Sequence, residues 1–324
     1  MNRPIRPGIF PILAVVGPTA TGKTAFALDL ARVLGAEVIS ADSMQVYRYM
    51  DIGTAKPPRE IRQEIPHHFI DILDPDEGYS AGLYARQARS LISEKVKKGI
   101  PLVIVGGTGL YVKALEKGLV DVPPISKGIE KGLWEAFVTN GLEYLYERLR
   151  RVDPVTASRV HPHDRFRILR ALGIYETTKR PLSFFHRSHG FGEKPLPLFK
   201  IGLTYSREVL YERIEKRVDR MMEEGWMEEV SALLKKGYDE TLRPMQAIGY
   251  KQLVSVLKGR METEDAVREI KKETRRLAKR QHTWFKKERP HLWLNFGGGS
   301  GEKEAERLIE QIQRGELEWM PKKG

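Results

Sequence analysis

Short apolar runs alternate with longer amphipathic segments over most of the chain. Runs of strand length lie at 12–16, 36–40, 68–73, 101–105, 198–203 and 292–296. Helical patterns lie between and after them, at 25–34, 80–98, 110–116, 206–224, 227–236, 247–258, 263–287 and 302–314. Continuous apolar strands that alternate with helices are typical of a parallel sheet covered on both faces. We therefore predict an α/β fold whose parallel sheet core is flanked by helices.

The alternation stops near Val122-Pro123-Pro124 and resumes near residue 197. Between these points the sequence has helical patterns at 129–150 and 164–178 and no convincing buried strand. We predict a discontinuous α/β core domain, residues 1–122 and 197–324. An all-helical insertion domain, residues 123–196, interrupts it.

The turn between the first strand and the first helix fits the pattern G-x-x-x-x-G-K-[ST] at every fixed position. Its residues, called the phosphate loop below, are Gly17, Pro18, Thr19, Ala20, Thr21, Gly22, Lys23 and Thr24. Backbone N–H groups in such a loop surround an anion at a helix N-terminus. The lysine adds a positive charge, and the threonine offers a hydroxyl to phosphate or Mg²⁺. The loop therefore predicts a P-loop-type core that binds a phosphate-bearing ligand.

Two further strands end in polar or glycine-rich turns, and ligands in parallel sheets bind beyond the carboxyl ends of strands. Asp42 follows the second strand. Its carboxylate suits a Mg²⁺ ligand or a general base, and equally the N-cap of the next turn. The turn at 106–109 contains Thr108 and is either a ligand-contact loop or a plain turn. We also expect Lys56, in the loop at 51–57, to lie near the phosphate rim.

Positive charge is concentrated on three helical segments. Arg167 and Arg170 share a face of the helix at 164–178, beside Phe166. The helix at 206–224 carries Arg213 and Arg217, which suit phosphate or acidic neighbours on the same helix. The end of the helix at 263–287, KKETRRLAKRQHTWFKK, combines cations with aromatic residues. Such clusters suit a nucleic-acid backbone and a stacked base, and ordinary solvated helix faces are the alternative.

Composition narrows the possible chemistry. The chain of 324 residues carries a formal net charge of +12, which favours a polyanionic partner such as nucleic acid. The absence of cysteine excludes disulfides, cysteine-ligated metal centres and thiol catalysis, and it permits a reducing compartment. The first ten residues, MNRPIRPGIF, lack a long apolar stretch, so we expect no signal peptide and no membrane partner. We expect a cytoplasmic monomer.

Several motifs together resemble bacterial tRNA dimethylallyltransferase, the IPP transferase (tRNA isopentenyltransferase) family. They are GPTATGKT at 17–24, ISADSMQVYRYMDIGTAKP at 39–57, VGGTGLY at 105–111, QAIGYKQL at 246–253 and AKRQHTWF at 278–285. The helix with Arg213 and Arg217 contributes to the resemblance, which runs from about residue 12 to residue 297. The combination of this phosphate loop with DSMQVY and GTAKP is not a general kinase pattern.

The resemblance implies transfer of a dimethylallyl group from dimethylallyl diphosphate to N6 of the adenosine 3′ of the anticodon. The substrates would be tRNAs that read codons beginning with U, and diphosphate would leave. It implies that the phosphate loop holds the diphosphate of the prenyl donor, with Mg²⁺ as cofactor at Thr24. Asp42 would accept a hydrogen bond or proton from the adenine amino group, and Arg217 would neutralise the diphosphate.

The resemblance also implies a set of contacts to the anticodon stem-loop of tRNA. These residues are Asp42, Ser43, Met44, Gln45, Thr108, Phe166, Arg167, Arg170, Gln246, Gly249, Lys251, Lys279, Arg280, Gln281 and Trp284. Where the family often has an arginine after the proline-rich start of the insertion, this chain has Glu130 with Lys131 beside it. At this position the chain therefore departs from the family, and the corresponding tRNA contact does not carry over.

Two other functions compete with this one. An adenylate isopentenyltransferase would act on free AMP, ADP or ATP and would need neither the basic helix nor the helical insertion. An RNA-binding P-loop ATPase would need a Mg²⁺-holding aspartate at the end of an apolar strand, but the strand at 101–105 runs into Gly106-Gly107-Thr108. Both alternatives are disfavoured on these grounds.

Overall fold

A six-stranded, wholly parallel sheet is the centre of the fold, with strand order β3-β2-β4-β1-β5-β6. The computed structural model describes residues 12–119, 122–188, 195–295, 301–314 and 316–317. The strands are β1 (Ile12–Val16), β2 (Glu37–Ser40), β3 (His67–His68), β4 (Leu102–Gly106), β5 (Leu198–Thr204) and β6 (Leu292–Asn295). The predicted α/β class with a parallel sheet is confirmed.

Helices connect the strands and cover the sheet. Those before the insertion are α1 (Lys23–Leu34), α2 (Arg59–Glu64), α3 (Ala81–Lys97) and α4 (Gly109–Lys117). Those of the insertion are α5 (Lys127–Val152), α6 (Pro154–Ala157), α7 (Arg165–Thr178) and α8 (Leu182–Ser188). Those after it are α9 (Arg207–Glu223), α10 (Trp226–Lys235), α11 (Tyr250–Leu257), α12 (Thr263–Lys287) and α13 (Gly301–Gln313). Among the described residues, every helix is too short or too polar to cross a bilayer.

Two apolar layers hold the sheet between its helices, because successive side chains of a strand point to opposite faces. Ala14 and Val16 of β1 belong to one layer, whereas Leu13 and Val15 belong to the other. The second layer includes buried residues of α1 and α13, among them Phe26. This double burial is the physical reason why the strands read as continuous apolar runs.

The chain divides into two compact units. The sheet unit comprises residues 1–116 and 196–324, and the helical unit comprises residues 117–195. The helical unit has its own apolar core, in which Leu145 and Leu149 of α5 pack with Ile168 and Leu172 of α7. Helix α5 contains a non-helical residue, Gly141, with φ 80°. The break lies within the predicted helix at 129–150.

The predicted strand at 68–73 is wrong beyond its first residue. Phe69 and Asp71 have φ values of 64° and 56°, in the left-handed region, which interrupts the extended chain after β3. The backbone N–H of Asp71 donates instead to the carbonyl of Gln45, at 3.1 Å. Two sequence predictions concern residues outside the described ranges: the lack of a signal peptide in residues 1–10, and Phe296 at the end of the last strand.

Candidate active site

Four adjacent strands deliver the candidate residues to one edge of the sheet. The order β2-β4-β1-β5 places four turns side by side at the carboxyl ends of these strands. They are the turn after β2 with Asp42, the turn after β4 with Thr108, the phosphate loop after β1, and the start of α9 after β5. Parallel pairing of Val16 with both Gly106 and Gly202 sets the register of three of these strands.

The phosphate loop depends on residues that accept unusual backbone geometry. Gly17 has φ 140°, and a Cβ there would lie 2.5 Å from the carbonyl oxygen of Leu203. Gly22 has φ 82° and is the N-cap of α1. Ala20 has φ 64°, a costly conformation for a residue with a side chain. The hydroxyl of Thr21 donates to the carbonyl of Pro18 at 2.9 Å and fastens the loop from inside.

The two arginines of α9 have different positions relative to this loop. Nε of Arg213 donates to the carbonyl of Ala20 at 2.9 Å, and its guanidinium lies 4.8 Å from the ring centroid of Tyr205. Arg217 makes no hydrogen bond or ion pair within the described part of the chain. Burial is the main cause that lowers the pKa of Arg217, and attraction by Asp42 opposes it. Arg213 thus supports the loop, and Arg217 remains available to an anion.

Lys23 lies in the same positive environment. Its Nζ donates to the carbonyl of Pro18. Burial, and next the charge of Arg217, lower the pKa of Lys23 to about 7, while Asp42 acts in the opposite direction. Two basic groups with lowered pKa values beside one carboxylate are the arrangement expected where a bound anion supplies missing negative charge.

Asp42 is both a local cap and an available acid. Its Oδ1 accepts a hydrogen bond from the backbone N–H of Met44 at 2.8 Å. Its Oδ2 makes no hydrogen bond within the described ranges. One oxygen therefore fixes the turn, and the other is left for a ligand. Thr108 Oγ1 accepts from the N–H of Ser43 at 3.0 Å and holds the same turn.

The residues present fit a Mg²⁺ ion that would be coordinated mainly by the bound diphosphate and by water. Thr24 is half-buried in the first turn of α1, and its hydroxyl has no hydrogen-bond partner in the described part of the protein. No cluster of three histidine or acidic side chains that could hold a metal exists among the described residues. A hydroxyl beside a diphosphate would supply one oxygen, and the remaining ligands would be phosphate oxygens and water.

Helix α12 contacts the edge through Gln281 and Trp284. Gln281 Oε1 accepts from the N–H of Thr19 at 2.8 Å, and its Nε2 donates to the carbonyl of Gly107 at 3.0 Å. Trp284 packs so closely on Gly109 that a Cβ there would lie 2.2 Å from the indole. Lys279 and Arg280 are exposed on the same stretch. The helix therefore has a side that contacts the loops and a basic side that faces solvent.

The predicted tRNA contacts in 246–251 differ from one another in exposure and in their partners. Gln246 is exposed, and its Nε2 donates to the carbonyl of Glu240. Gly249, with φ 92°, lies against Trp226, and a Cβ there would lie 1.9 Å from the indole ring. Lys251 pairs with Glu273 at 2.8 Å. In the turn after β2, Gln45 receives a hydrogen bond from Ser40 at 2.9 Å and is half-buried, as Met44 is.

The helical unit carries the remaining predicted contacts. Phe166, Arg167 and Arg170 of α7 are exposed, and 76% of the Phe166 surface is accessible. The Arg165 guanidinium lies 5.0 Å from the ring centroids of both Trp134 and Phe166. Arginine ordered among exposed aromatic rings is suited to stacking on an unpaired base.

Lys56, which was predicted near the phosphate rim, is not available to a ligand. Its side chain is buried and pairs with Asp51 at 2.7 Å and Asp71 at 2.6 Å, so it stabilises the 51–57 loop instead of facing a ligand. Sequence reasoning also missed Glu229, whose carboxylate accepts from the N–H groups of Asp51 and Ile52, both at 2.7 Å. These partners are far apart in the sequence, and no local pattern reveals the pairing.

Comparisons with known proteins identify the family of the chain. The model of the family described as IPP transferase matches residues 45–288. A tRNA dimethylallyltransferase of Syntrophobacter fumaroxidans is 49% identical over 291 residues, which are 90% of this chain and 85% of the relative. The crystal structure of a tRNA isopentenylpyrophosphate transferase from Staphylococcus epidermidis has a TM-score of 0.68 and 40% identity, and it covers 94% of this chain and 100% of the other. A eukaryotic dimethylallyltransferase solved acting on tRNA has a TM-score of 0.79 and 25% identity, over 96% of this chain and 81% of the other. The chain therefore belongs to the IPP transferase family.

Proposed function

We propose that the protein is a tRNA dimethylallyltransferase. It transfers the dimethylallyl group of dimethylallyl diphosphate to N6 of the adenosine 3′ of the anticodon, in tRNAs that read codons beginning with U. The observation that carries the proposal is the site at the sheet edge, where the charges of Lys23 in the phosphate loop, of Arg217 and of the Asp42 carboxylate interact with one another. Membership of the IPP transferase family supports the same conclusion.

The reaction forms one bond and breaks another. The N6 nitrogen of adenine forms a bond to C1 of the prenyl group, and the bond between C1 and the diphosphate oxygen breaks with its electron pair. The diphosphate leaves, and N6 loses one proton. Asp42 Oδ2 accepts that proton or a hydrogen bond from the amino group, while its Oδ1 remains fixed by Met44.

The cations of the site favour departure of the diphosphate. Negative charge grows on the leaving oxygen as the bond breaks, and preorganised donors stabilise it most when water is excluded. Lys23, Arg217 and the backbone N–H groups of the phosphate loop supply this stabilisation. A Mg²⁺ ion held by Thr24 would neutralise further charge on the phosphate oxygens.

The tRNA requires a separate set of contacts. The exposed Lys279 and Arg280 of α12 suit phosphates, and the exposed Phe166 with Arg167 and Arg170 of α7 suits an unpaired base and its backbone. The target adenine must leave the base stack to reach Asp42, as enzymes that modify a base generally require. With these assignments, tRNA is the polyanionic partner that the net positive charge of the chain indicates.

Transfer of labelled dimethylallyl groups tests the function. Purified protein with Mg²⁺ and labelled dimethylallyl diphosphate should label total tRNA, at the N6 position of the adenosine 3′ of the anticodon, and should leave AMP unlabelled. Label on AMP alone would identify an adenylate isopentenyltransferase. Release of phosphate from ATP on addition of RNA, with no prenyl transfer, would identify an ATPase.

A substitution of Asp42 tests the mechanism. Asp42→Ala removes the acceptor for the N6 proton, so single-turnover transfer should fall by about 10²-fold or more, with tRNA affinity nearly unchanged. The control is Asp76→Ala, which removes an exposed carboxylate from a turn and should keep normal transfer. Normal turnover in Asp42→Ala would remove this residue from its assigned role.

A further inference from the structure

Gln281 connects three parts of the sheet unit that the proposed function assigns to different ligands. Its side chain bonds to the phosphate loop, through Thr19, and to the turn after β4, through Gly107. Its backbone belongs to α12, beside Lys279 and Arg280. We propose that Gln281 is a positioning residue that couples the binding of tRNA to the binding of dimethylallyl diphosphate, an inference that rests on the proposed function.

Both ends of the Gln281 amide group bond to the loops. Its oxygen accepts from Thr19 N–H at 2.8 Å, and its nitrogen donates to Gly107 C=O at 3.0 Å. A side chain needs both an acceptor and a donor on one planar group to hold the two loops in this way. A hydrocarbon of similar length would leave a loop N–H and a loop carbonyl without this partner.

The hydrogen bond from the Thr19 N–H to Gln281 is the one that concerns diphosphate binding. Backbone N–H groups of a phosphate loop are the donors that receive an anion. One such donor here points to Gln281, so the orientation of the loop peptide depends on where Gln281 lies. A shift of Gln281 therefore changes the arrangement of donors that the diphosphate meets.

The hydrogen bond to Gly107 connects Gln281 to the turn that carries Asp42. Gly107 precedes Thr108, whose hydroxyl accepts from the N–H of Ser43, next to Asp42. The turn after β4 thus joins Gln281 to the turn that carries Asp42 by three short steps. Gln281 can influence both the diphosphate cradle and the proton acceptor.

Helix α12 is well placed to respond to RNA as a rigid body. Ala278 and Phe285 are buried at 0% and 1% exposure, and Trp284 packs on Gly109. Lys279 and Arg280, in the same turns, face solvent. Phosphates that bind the exposed side move or stiffen the helix that carries Gln281, and binding of the two substrates becomes mutually dependent.

Gly107 provides an independent way to break the contact. A Cβ at Gly107 would lie 2.5 Å from Nε2 and 3.5 Å from Cδ of Gln281, and 3.7 Å from the carbonyl oxygen of Gly17. Gly107→Ala therefore displaces the glutamine amide while leaving the glutamine in the sequence. Two different substitutions can thus test one contact.

The experiment measures coupling between the two ligands. The probe is dimethylallyl thiolodiphosphate, an unreactive analogue, whose Kd is measured with Mg²⁺ by calorimetry in the absence and presence of a saturating anticodon stem-loop RNA. We expect the RNA to tighten binding of the analogue by about fivefold or more in the unmodified protein. In Gln281→Met and in Gly107→Ala this ratio should fall to about one. The control Gln63→Met, at an exposed position on α2, should keep the full ratio.

The readout separates coupling from simple damage, because a merely structural loss would weaken both Kd values together and leave their ratio intact. An unchanged ratio in both variants, or a ratio of one in the unmodified protein, overturns the proposal. Prenyl transfer to tRNA by the unmodified protein is measured in parallel. If transfer occurs and the ratio does not respond to the variants, the coupling fails while the proposed function stands; if no transfer occurs, both fail.

Discussion

At the scale of single residues, the site is defined by positively charged side chains whose burial costs free energy. Lys23 and Arg217 both have lowered pKa values because burial disfavours their charged forms. The charged form of each side chain would have a lower free energy in solvent. The fold nevertheless keeps both side chains at the site of the phosphate loop. Such an arrangement sacrifices stability of the unliganded protein in favour of a site that attracts an anion.

The pKa of Lys23 leads to a prediction about protons. With a pKa of about 7, the unliganded side chain is largely neutral at pH 8.5, although lysine in the unfolded chain, near 10.5, is charged. A bound diphosphate favours the ammonium form and raises this pKa, so binding takes up a proton at pH 8.5. Diphosphate affinity should therefore fall as the pH rises from 7 to about 9.

Calorimetry in buffers of different ionisation enthalpy measures that uptake. At pH 8.5 the unmodified protein should take up about one proton more than Lys23→Arg, whose guanidinium keeps its charge throughout this range. Protonation of the diphosphate itself is common to both proteins and cancels in the difference. Equal proton uptake by the two proteins would contradict the lowered pKa of Lys23.

The same pKa has a consequence for stability. Between pH 7 and about 10 the unfolded chain binds more protons at Lys23 than the folded chain does, so this residue makes the free energy of unfolding rise with pH over that window. Below pH 7 the folded protein bears the full cost of the buried charge.

At the scale of elements, α12 combines two functions on opposite sides. Its inner side contacts loops of the sheet edge through Gln281 and Trp284, and several of its cations are already paired, such as Lys271 with Asp219 at 2.6 Å and Arg275 with Glu215 at 2.5 Å. The count of cations in the sequence therefore overstates the charge available to RNA. Lys279 and Arg280 are exposed and have no acidic partner within the described ranges.

Salt dependence tests the outer side of this helix. If Lys279 contacts a tRNA phosphate, Lys279→Ala should reduce the slope of log Kd against log salt by about 0.7 to 0.9, because one fewer counterion is released. Arg280→Ala should act similarly. Lys97→Ala, an exposed lysine at the end of α3, serves as the control and should leave the slope unchanged. Identical slopes in all four proteins would remove α12 from the RNA contact surface.

At the scale of the whole molecule, the two units have separate cores and separate candidate tasks. All residues assigned to the diphosphate belong to the sheet unit, whereas Phe166, Arg167 and Arg170 belong to the helical unit. The core of the helical unit consists of its own residues, such as Leu145 and Ile168. Substitutions on its surface should therefore alter RNA binding and leave the diphosphate site intact.

Phe166→Ala tests this division. Loss of one stacked base costs about 1 to 3 kcal/mol of binding free energy, so affinity for the anticodon stem-loop should weaken measurably. Affinity for diphosphate should stay unchanged, and so should the melting temperature, because 76% of the Phe166 surface is exposed. Val138→Ala, at a side chain of the same unit with 68% exposure, should affect neither ligand. RNA affinity equal to that of the unmodified protein would exclude stacking by Phe166.

The sequence by itself determined the features that depend on local patterns. Apolar runs between amphipathic helices determined the parallel sheet, because a strand buried on both faces has to be apolar throughout. The phosphate loop was recognisable because its glycines are required by backbone geometry: Gly17 and Gly22 have positive φ values. Asp42 was recognisable as a candidate because it lies two residues after a strand, at the edge where ligands bind.

The tertiary structure alone decided which charged groups are available and which are paired. Lys56 appears in the sequence as a cation near the site, yet Asp51 and Asp71 bury it in ion pairs. Arg213 and Arg217 lie four residues apart on one helix, but one supports the carbonyl of Ala20 and the other remains available. The contact of Gln281 with Thr19 joins residues 262 positions apart, so no local pattern could predict it. The phosphate loop therefore has its conformation from nearby sequence, and its electrostatic surroundings come from segments that meet only in the folded chain.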